Sequence, residues 1–337
     1  MCSGNLSSAI RRNREQLPPL VHNLPNDFTG QFLPFLRRLK SLELTGGDPF
    51  LIDIYYDLLK AAEATHPKLD ILITTNANTY NDKVQALLKK NQRLSFNVSI
   101  DSLDETTYAQ IRCNGSLSKA LRNISLFSEY TKSHNTSLGF LVCPLRQNWK
   151  ELPSFVTFAN KYNASLSYHV VFKPAQFALW SLPAKQLEEI AAYLASFEFE
   201  ENNFYQKINV RSYNSLVALV KSWHQKALLR EAHKNETVKY IENEIKKSKA
   251  LLRDMFNDAE FFKTLETLIN QVPVNEYPEM VYMALAQKTQ QELLFGYKHF
   301  SEEELLKKFI LYHQEIYASY FYHLNLSDND KYSENIL

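Results

Sequence analysis

Leu42–Phe50, which reads Leu-Glu-Leu-Thr-Gly-Gly-Asp-Pro-Phe, is the stretch that decides the fold. A short alternating strand ends here in two glycines, an acid and a proline, which predicts a turn that brings backbone close to a ligand. Gly46 and Gly47 can adopt positive φ angles, and Asp48 offers a carboxylate at the C-terminal end of the strand. A simpler interpretation is an ordinary tight turn, with Asp48 as N-cap and Pro49 as the first helical residue.

The composition is that of a globular protein, apart from its glycine content. Only 7 of the 337 residues are glycine, far below the roughly 7% of average proteins, so an adjacent pair argues for a specific use. Apolar residues make up 45% of the chain, which is enough for a sizeable core. The 38 basic and 37 acidic residues nearly cancel, so no nucleic-acid partner is expected.

The cysteines and the apolar pattern indicate where the protein works. Cys2, Cys113 and Cys143 form no C-x-x-C pair, which is typical of a reduced, cytoplasmic protein. No apolar run reaches the length of about 18 residues that a membrane helix needs, and the N-terminus has no signal-peptide pattern. We therefore expect a cytoplasmic protein with no membrane partner.

Helical and strand patterns alternate along the first half of the chain, which predicts a parallel sheet. An open doubly wound sheet and a (β/α) barrel both satisfy this alternation. The predicted strands carry polar residues on one face, and this favours a partial barrel around a ligand cavity over a packed barrel core. The alternative is that these polar residues satisfy one another inside a tight barrel. The predicted strands are Leu42–Thr45, Leu69–Thr75, Leu94–Ile100, Thr136–Val142 and Ser165–Phe172.

The pattern changes after Pro174 and is helical almost throughout the rest of the chain. The sequence therefore predicts two domains, a partial (β/α) barrel over residues 1–175 and a helical region of unknown role over residues 176–337.

Several motifs of residues 1–172 resemble those of the radical S-adenosylmethionine (radical SAM) enzymes. Thr45–Pro49 resembles the family's Gly-Gly-Glu-Pro motif, with Asp in place of Glu. Thr75-Asn76 ends the next predicted strand, as it often does in the family. Val98–Ser102, followed by Tyr108 and Ile111-Arg112, is similar to the family's Ser-Ile-Asp-Gly…Tyr-x-x-Ile-Arg stretch.

The resemblance implies a radical SAM-type partial barrel and a binding site for S-adenosylmethionine. In the family the glycine turn receives the methionyl amino group, the Ser, Asp and Arg lie near the ribose and the methionyl carboxylate, and backbone after the fourth strand lies against adenine. A sulfonium ligand with a carboxylate and an amine needs such an acid, base and hydroxyl set around one cavity. The expected cofactor-binding residues are Gly46, Gly47, Asp48, Pro49, Asn76, Ser99, Asp101, Arg112 and Val142.

The cysteine content departs from the family. Its four-iron four-sulfur (4Fe-4S) cluster is held by the three thiolates of C-x-x-x-C-x-x-C, and only Cys2 lies in a matching place. By this resemblance Cys2 is the third cluster ligand, and Met1 lies near adenine. The chain is then expected to begin inside the motif, without the first strand and two ligands, and to be inactive as written. Cys113 and Cys143 are expected to be core or incidental thiols.

The implied activity is reductive cleavage of S-adenosylmethionine to a 5′-deoxyadenosyl radical that abstracts a substrate hydrogen. The implied partners are a peptide or small-molecule substrate and a reductase, flavodoxin or ferredoxin as electron donor. Two alternatives stay open at this point. One is a non-catalytic module that binds a SAM-like ligand, and the other is a metal-free (β/α) enzyme with Asp101 and His169 as an acid–base pair.

Overall fold

The computed structural model describes residues 11–12, 27–90, 92–172, 175–256, 258–274 and 276–323. The described residues form two compact units. One unit contains those up to residue 170 together with 193–218, and the other contains those of 171–192 and 219–323. The domains predicted from the sequence, 1–175 and 176–337, stay predictions.

Strands and helices alternate through the first half of the described chain. Each strand is followed by at least one helix, as the periodicity predicts. The elements are α1 (Phe28–Leu36), β1 (Ser41–Leu44), α2 (Asp53–Thr65), β2 (Asp70–Thr75), α3 (Asp82–Leu88), β3 (Arg93–Ser99), α4 (Glu105–Ile111), α5 (Leu117–His134), β4 (Leu138–Val142), α6 (Leu152–Tyr162) and β5 (Ser165–Tyr168).

The described part of the chain after β5 is helical, with two short 3-10 turns at its beginning. The 3-10 turns span Ala175–Phe177 and Leu179–Ser181. None of the described helices is both long and apolar enough to cross a membrane. The helices are α7 (Ala184–Ala195), α8 (Phe204–Ala232), α9 (Lys234–Phe256), α10 (Ala259–Asn270), α11 (Met280–Leu285), α12 (Gln290–His299) and α13 (Glu302–His323).

The five strands form one parallel sheet whose order follows the chain, β1-β2-β3-β4-β5. A doubly wound sheet would reverse its strand order at a switch point, and this sheet does not. The predicted fold class, a parallel partial barrel followed by a helical region, is confirmed. The carboxyl ends of the strands therefore lie along one edge, where ligand sites of such sheets form.

The two faces of the sheet differ in chemistry, as the alternation predicts. On one face, Phe96, Val98 and Phe140 are fully buried, and Phe96 stacks on Phe127 of α5 with ring centroids 4.6 Å apart. On the other face, Asn97 pairs in register with Gly139, which pairs with Ser165. The apolar face packs under helices and drives folding, whereas the polar face retains partly exposed amides and hydroxyls.

The helices of the barrel unit begin and end at residues suited to those positions. Asn81, Asp104 and Ser116 accept hydrogen bonds from the backbone of the helices that they precede, which satisfies N–H groups that have no partner within the helix. Asn135 and Asn163 end α5 and α6 in the left-handed region, with φ of 50° and 52°. An asparagine tolerates this conformation better than most residues, so each helix stops there.

The outer edge of β5 is capped by a side chain of α8. Asn209 Oδ1 accepts from the Leu166 N–H at 2.8 Å, and its Nδ2 donates to the Ala164 carbonyl at 2.9 Å. These are the two backbone groups that a neighbouring strand would pair with. Asn209 is fully buried and also donates to Asn160 at 2.9 Å, so the edge is satisfied at this point without a sixth strand.

The structure differs from the predicted elements at a few boundaries. The strand predicted to reach Phe172 ends at Tyr168, and a 3-10 turn over Trp149–Glu151 precedes α6. The helical pattern predicted after Pro174 contains a break at His233, between α8 and α9. Tertiary packing and local backbone bonds decide such ends, which hydrophobic periodicity does not report.

Candidate functional site

The Gly46–Gly47 turn follows β1 at the carboxyl edge of the sheet. The two glycines have φ of 86° and 57°. Apart from glycine, few residues other than Asn and Asp adopt such a backbone conformation. A Cβ added to Gly46 would meet no atom within 4 Å. The turn therefore presents its backbone to open space within the described structure, as a ligand-binding turn requires.

Asp48 is held by three hydrogen bonds directly behind this turn. Its Oδ1 accepts from the Thr75 hydroxyl at 3.0 Å and from the Phe50 N–H at 3.3 Å, and its Oδ2 accepts from the Thr79 hydroxyl at 3.2 Å. Burial raises the pKa of the Asp48 carboxyl, and the hydrogen bonds oppose that rise. Oδ2 keeps a lone pair for one further donor.

The interpretation of this segment as an ordinary capped turn also agrees with part of the geometry. Asp48 caps the 3-10 turn Pro49–Leu51, and Pro49 is its first residue. The capping uses one carboxylate oxygen, whereas the bonds from Thr75 and Thr79 tie Asp48 to the end of β2 and the loop beyond it. Asp48 therefore joins two strand ends in addition to starting a helical turn.

An asparagine-rich loop continues the polar edge after β2. Asn76 Oδ1 accepts from the Asn78 N–H at 2.8 Å, and Asn78 Nδ2 contacts the Tyr108 hydroxyl of α4 at 2.8 Å. Asn78 Oδ1 also accepts from the Ser116 N–H at 2.7 Å. Ala77, between the two asparagines, has φ of 58°, a strained conformation for alanine of the kind that collects at functional sites. The loop is thus fixed to the next βα unit.

Asp101 and Arg112 form an ion pair at the end of β3. Arg112 Nη2 lies 2.8 Å from Asp101 Oδ2, and Asp101 Oδ1 accepts from the Cys143 N–H at 2.8 Å. The Arg112 Nε is buried and has no hydrogen-bond partner among the described residues. A buried donor on a cation attracts an anionic or carbonyl oxygen, which suits the carboxylate of an amino-acid ligand.

Two further residues hold the loop that carries Asp101. Asn148 is fully buried and donates to the carbonyls of Asp101 and Cys143 at 2.6 and 2.9 Å. The Glu151 carboxylate accepts from the Ser102 hydroxyl at 2.8 Å and from the Leu103 N–H at 2.7 Å. These bonds join the end of β3 to the segment after β4.

Ser99 belongs to the polar face that runs down from this edge. It shares that face with Asn97, two residues before it in β3. Gly139, opposite Asn97, leaves room there, because a Cβ at this position would lie 2.5 Å from Asn97 Oδ1 and 2.7 Å from Ser165 Oγ. The glycine lets an amide and a hydroxyl converge in the middle of the sheet.

The remaining predicted residues fall into two groups. The Val142 side chain is fully buried and its carbonyl accepts from the His169 N–H at 2.8 Å, so only backbone of the following loop is left for a ligand. Met1 and Cys2 lie outside the described residues.

The described cysteines are poorly suited to hold an iron–sulfur cluster. Burial, and then the Asp101 carboxylate, raises the pKa of the Cys143 thiol to about 12. Cys113 is exposed. Thiolates are the ligands that such clusters require. No three His, Cys, Asp or Glu side chains of the described part of the chain converge as a metal site. The cluster role of Cys2 stays a prediction.

Sequence reasoning missed several residues of this edge. No sequence motif predicted the hydrogen bonds made by Thr79, Asn78 and Asn148. The polar run from Thr75 to Thr79, directly after an apolar strand, was a usable signal for the first two. Asn148 had no signal of its own, because its partner Asp101 lies 47 residues earlier in the chain.

Comparison with known proteins supports a family assignment. A family model described as the radical SAM superfamily matches residues 31–159. GTP 3′,8-cyclases from Clostridium perfringens (strain 13 / Type A) and Paenarthrobacter nicotinovorans are each 34% identical to this chain over 86 residues. The match covers 26% of this chain and 26% and 24% of those two proteins, so it spans about a quarter of their length.

Among solved structures, Streptococcus suis SuiB bound to S-adenosylmethionine is similar to this chain with a TM-score of 0.40 and 16% identity. The similarity covers 53% of this chain and 41% of the SuiB chain. A second Streptococcus suis SuiB structure gives a TM-score of 0.37 and 17% identity.

The segment matched by the family model coincides with the polar edge described above. It contains the Gly46–Gly47 turn, the Asp101–Arg112 ion pair and strands β1 to β4. Residues 31–159 of this chain therefore belong to the radical SAM superfamily.

Proposed function

We propose that the carboxyl edge of β1–β4 binds S-adenosylmethionine and that the protein is a radical SAM enzyme. The observation that carries the proposal is the series of side-chain contacts that runs along the strand ends from Asp48 to Arg112 and Asp101. When bound together with a 4Fe-4S cluster, S-adenosylmethionine supplies a 5′-deoxyadenosyl radical that abstracts a substrate hydrogen. The protein supplies binding, orientation and shielding.

The methionyl end of the ligand suits the two charged groups of the edge. The free lone pair of Asp48 Oδ2 and the backbone of the glycine turn accept from its ammonium group, with Pro49 fixing the end of that turn. The buried Nε of Arg112 donates to its carboxylate. Charge pairing of this kind, in a site from which water is partly excluded, is stronger than in bulk solvent.

The nucleoside end suits the neutral part of the edge. The Ser99 hydroxyl lies on the polar face and bonds a ribose hydroxyl, while Asp101 holds Arg112 and the loop after β4 in place. Asn76 orders the loop after β2. Backbone from Val142 to Asn148 lies against adenine, and the bonds of Asn148 keep it there.

The cluster and the partners complete the proposal. Cys2 serves as a cluster ligand with Met1 near adenine, and a reductase, flavodoxin or ferredoxin supplies the electron. The substrate is a peptide or a small molecule, and the site of action is the cytoplasm. Because one cysteine cannot hold a 4Fe-4S cluster with three thiolates, this chain alone is expected to bind S-adenosylmethionine weakly and not to cleave it.

Calorimetric titration with S-adenosylmethionine tests the binding site. We expect binding by the wild-type chain, a loss of about tenfold or more in R112A, because a charge-assisted bond is removed, and unchanged binding in R93A as a surface control. Arg93 pairs with Asp70 at the exposed amino end of β3. If the wild-type chain did not bind S-adenosylmethionine, the proposed binding site would be wrong.

Anaerobic iron–sulfur reconstitution tests the cluster. Ultraviolet–visible and electron paramagnetic resonance spectra of the treated chain should show less than one 4Fe-4S cluster per chain. A stoichiometric cluster on this chain would contradict the role given to Cys2.

A further inference from the structure

Two adjacent tyrosine hydroxyls bracket the Gly46–Gly47 turn. The Tyr55 hydroxyl donates to the Thr45 carbonyl at 2.8 Å, immediately before the turn. The Tyr56 hydroxyl donates to the Phe50 carbonyl at 3.0 Å, three residues after Gly47. Neighbouring residues of a helix point in different directions, so the first turns of α2 can reach both ends of one loop.

Most backbone carbonyls of residues 45–50 accept a hydrogen bond. The Asp48 and Pro49 carbonyls accept from the Leu51 and Ile52 N–H groups at 2.9 and 3.2 Å. The Tyr55 and Tyr56 hydroxyls donate to the carbonyls of Thr45 and Phe50, before and after these residues. Among the described residues, the carbonyls of Gly46 and Gly47 are then the two in this segment without a hydrogen-bond partner.

The tyrosines supply rigidity that the glycines lack. Glycine has the largest conformational freedom of any residue, and two in succession would leave the backbone free to turn its carbonyls away. Four hydroxyls restrain this segment, since Thr75 and Thr79 hold Asp48 from the other side. Burial and the nearby Asp48 carboxylate raise the pKa of Tyr56 to about 12, so its hydroxyl stays a donor at neutral pH.

We propose that Tyr55 and Tyr56 are positioning residues that fix the Gly46 and Gly47 carbonyls as acceptors for a ligand ammonium group. The inference rests on the proposed function, in which that ammonium belongs to S-adenosylmethionine. The tyrosines act through the backbone, because their hydroxyls bond the Thr45 and Phe50 carbonyls on either side of residues 46–49. The open space beside Gly46 gives the ammonium group room to approach.

The test compares two ligands on phenylalanine variants. S-Adenosylmethionine carries the ammonium group, whereas 5′-methylthioadenosine has the same nucleoside without the amino-acid portion. Calorimetry on Y55F, Y56F and the double variant should show a loss of about fivefold in S-adenosylmethionine affinity per hydroxyl and no change for 5′-methylthioadenosine. Y162F is the matched control, because the Tyr162 hydroxyl lies 3.5 Å from Ser125 Oγ, between α5 and α6.

Hydrogen exchange gives a readout that needs no ligand. The amides of Phe50, Leu51 and Ile52, which donate hydrogen bonds within this segment, should exchange faster in Y55F and Y56F than in the wild type or Y162F. Unchanged exchange would overturn the inference, as would wild-type affinity for S-adenosylmethionine in the double variant or an equal loss for both ligands. A wild-type chain that binds neither ligand would instead overturn the proposed function, and the inference with it.

Discussion

Arg112 Nη2 lies 2.8 Å from Asp101 Oδ2, and this pair joins the loop after β3 to the end of α4. The side chains are 22% and 8% exposed, so both charges are largely withdrawn from water. Withdrawing a charge is costly unless its partner remains, which makes such a pair sensitive to the loss of either member. Asp101 also accepts from the Cys143 N–H, so one carboxylate ties together three segments of the edge.

Asp101→Ala should lower the free energy of unfolding by about 2–4 kcal/mol, because it leaves the guanidinium and the Cys143 N–H without their acceptor. Asp101→Asn keeps an oxygen for the N–H and should cost less. Urea denaturation followed by circular dichroism measures both. Lys83→Ala, which breaks an exposed pair with Asp53, is the control and should change stability by less than about 1 kcal/mol. Equal effects of D101A and K83A would contradict the burial of the Asp101–Arg112 pair.

Asp48 should make stability fall as pH rises. Its pKa is raised by burial above the ordinary value of 3.8, so the folded state holds the proton more tightly than the unfolded state does. The resulting stabilisation is fully present below the unfolded pKa and is lost as pH rises through the folded pKa. Urea midpoints measured across this window should fall more steeply for the wild type than for Asp48→Asn. Parallel curves would show that the pKa of Asp48 is not raised.

Asn209→Ala should expose the edge of β5. The variant leaves the Leu166 N–H and the Ala164 carbonyl without partners, which should cost about 2–4 kcal/mol in unfolding free energy. It should also increase light scattering on storage, because an open strand edge pairs with other chains. Asn214→Ala, at an exposed position of the same helix, is the matched control. A stable, monodisperse N209A would show that this edge needs no cap.

Asn135→Ala should destabilise the end of α5. Asn135 has φ of 50°, and an alanine forced into this region should cost about 1 kcal/mol in unfolding free energy. Asn135→Gly should stay within about 0.5 kcal/mol of the wild type, because glycine adopts positive φ without strain. Thermal denaturation separates the two variants. An N135A as stable as N135G would exclude the left-handed conformation at this position.

Strand identity was predictable from the sequence because one face of the sheet is apolar and the other polar. The strand predicted over Leu94–Ile100 is observed over Arg93–Ser99, since its alternation is the sharpest in the chain. The positive φ of Gly46 and Gly47 was predictable for a similar reason, because few residues other than glycine occupy that region readily.

The contacts that join distant segments were not predictable. Asn209 caps β5 across 43 residues of chain, and the sequence around it shows only a helical pattern. The break between α8 and α9 at His233 also had no signal, because neither glycine nor proline lies near it. Such features depend on packing partners that a local pattern does not contain.

The positive-φ asparagines that follow α4, α5 and α6 affect the entropy that the chain loses when it folds. Asn114, Asn135 and Asn163 have φ of 66°, 50° and 52°, where many proteins place glycine. An asparagine samples fewer backbone conformations than glycine when unfolded, so folding loses less entropy at each of these positions, by up to about 1 kcal/mol. Among the described glycines, Gly46 and Gly47 are the two with positive φ. The chain thereby places glycine at the positive-φ positions of the turn at the carboxyl edge and asparagine at the other three, which lowers the entropic cost of folding at those three.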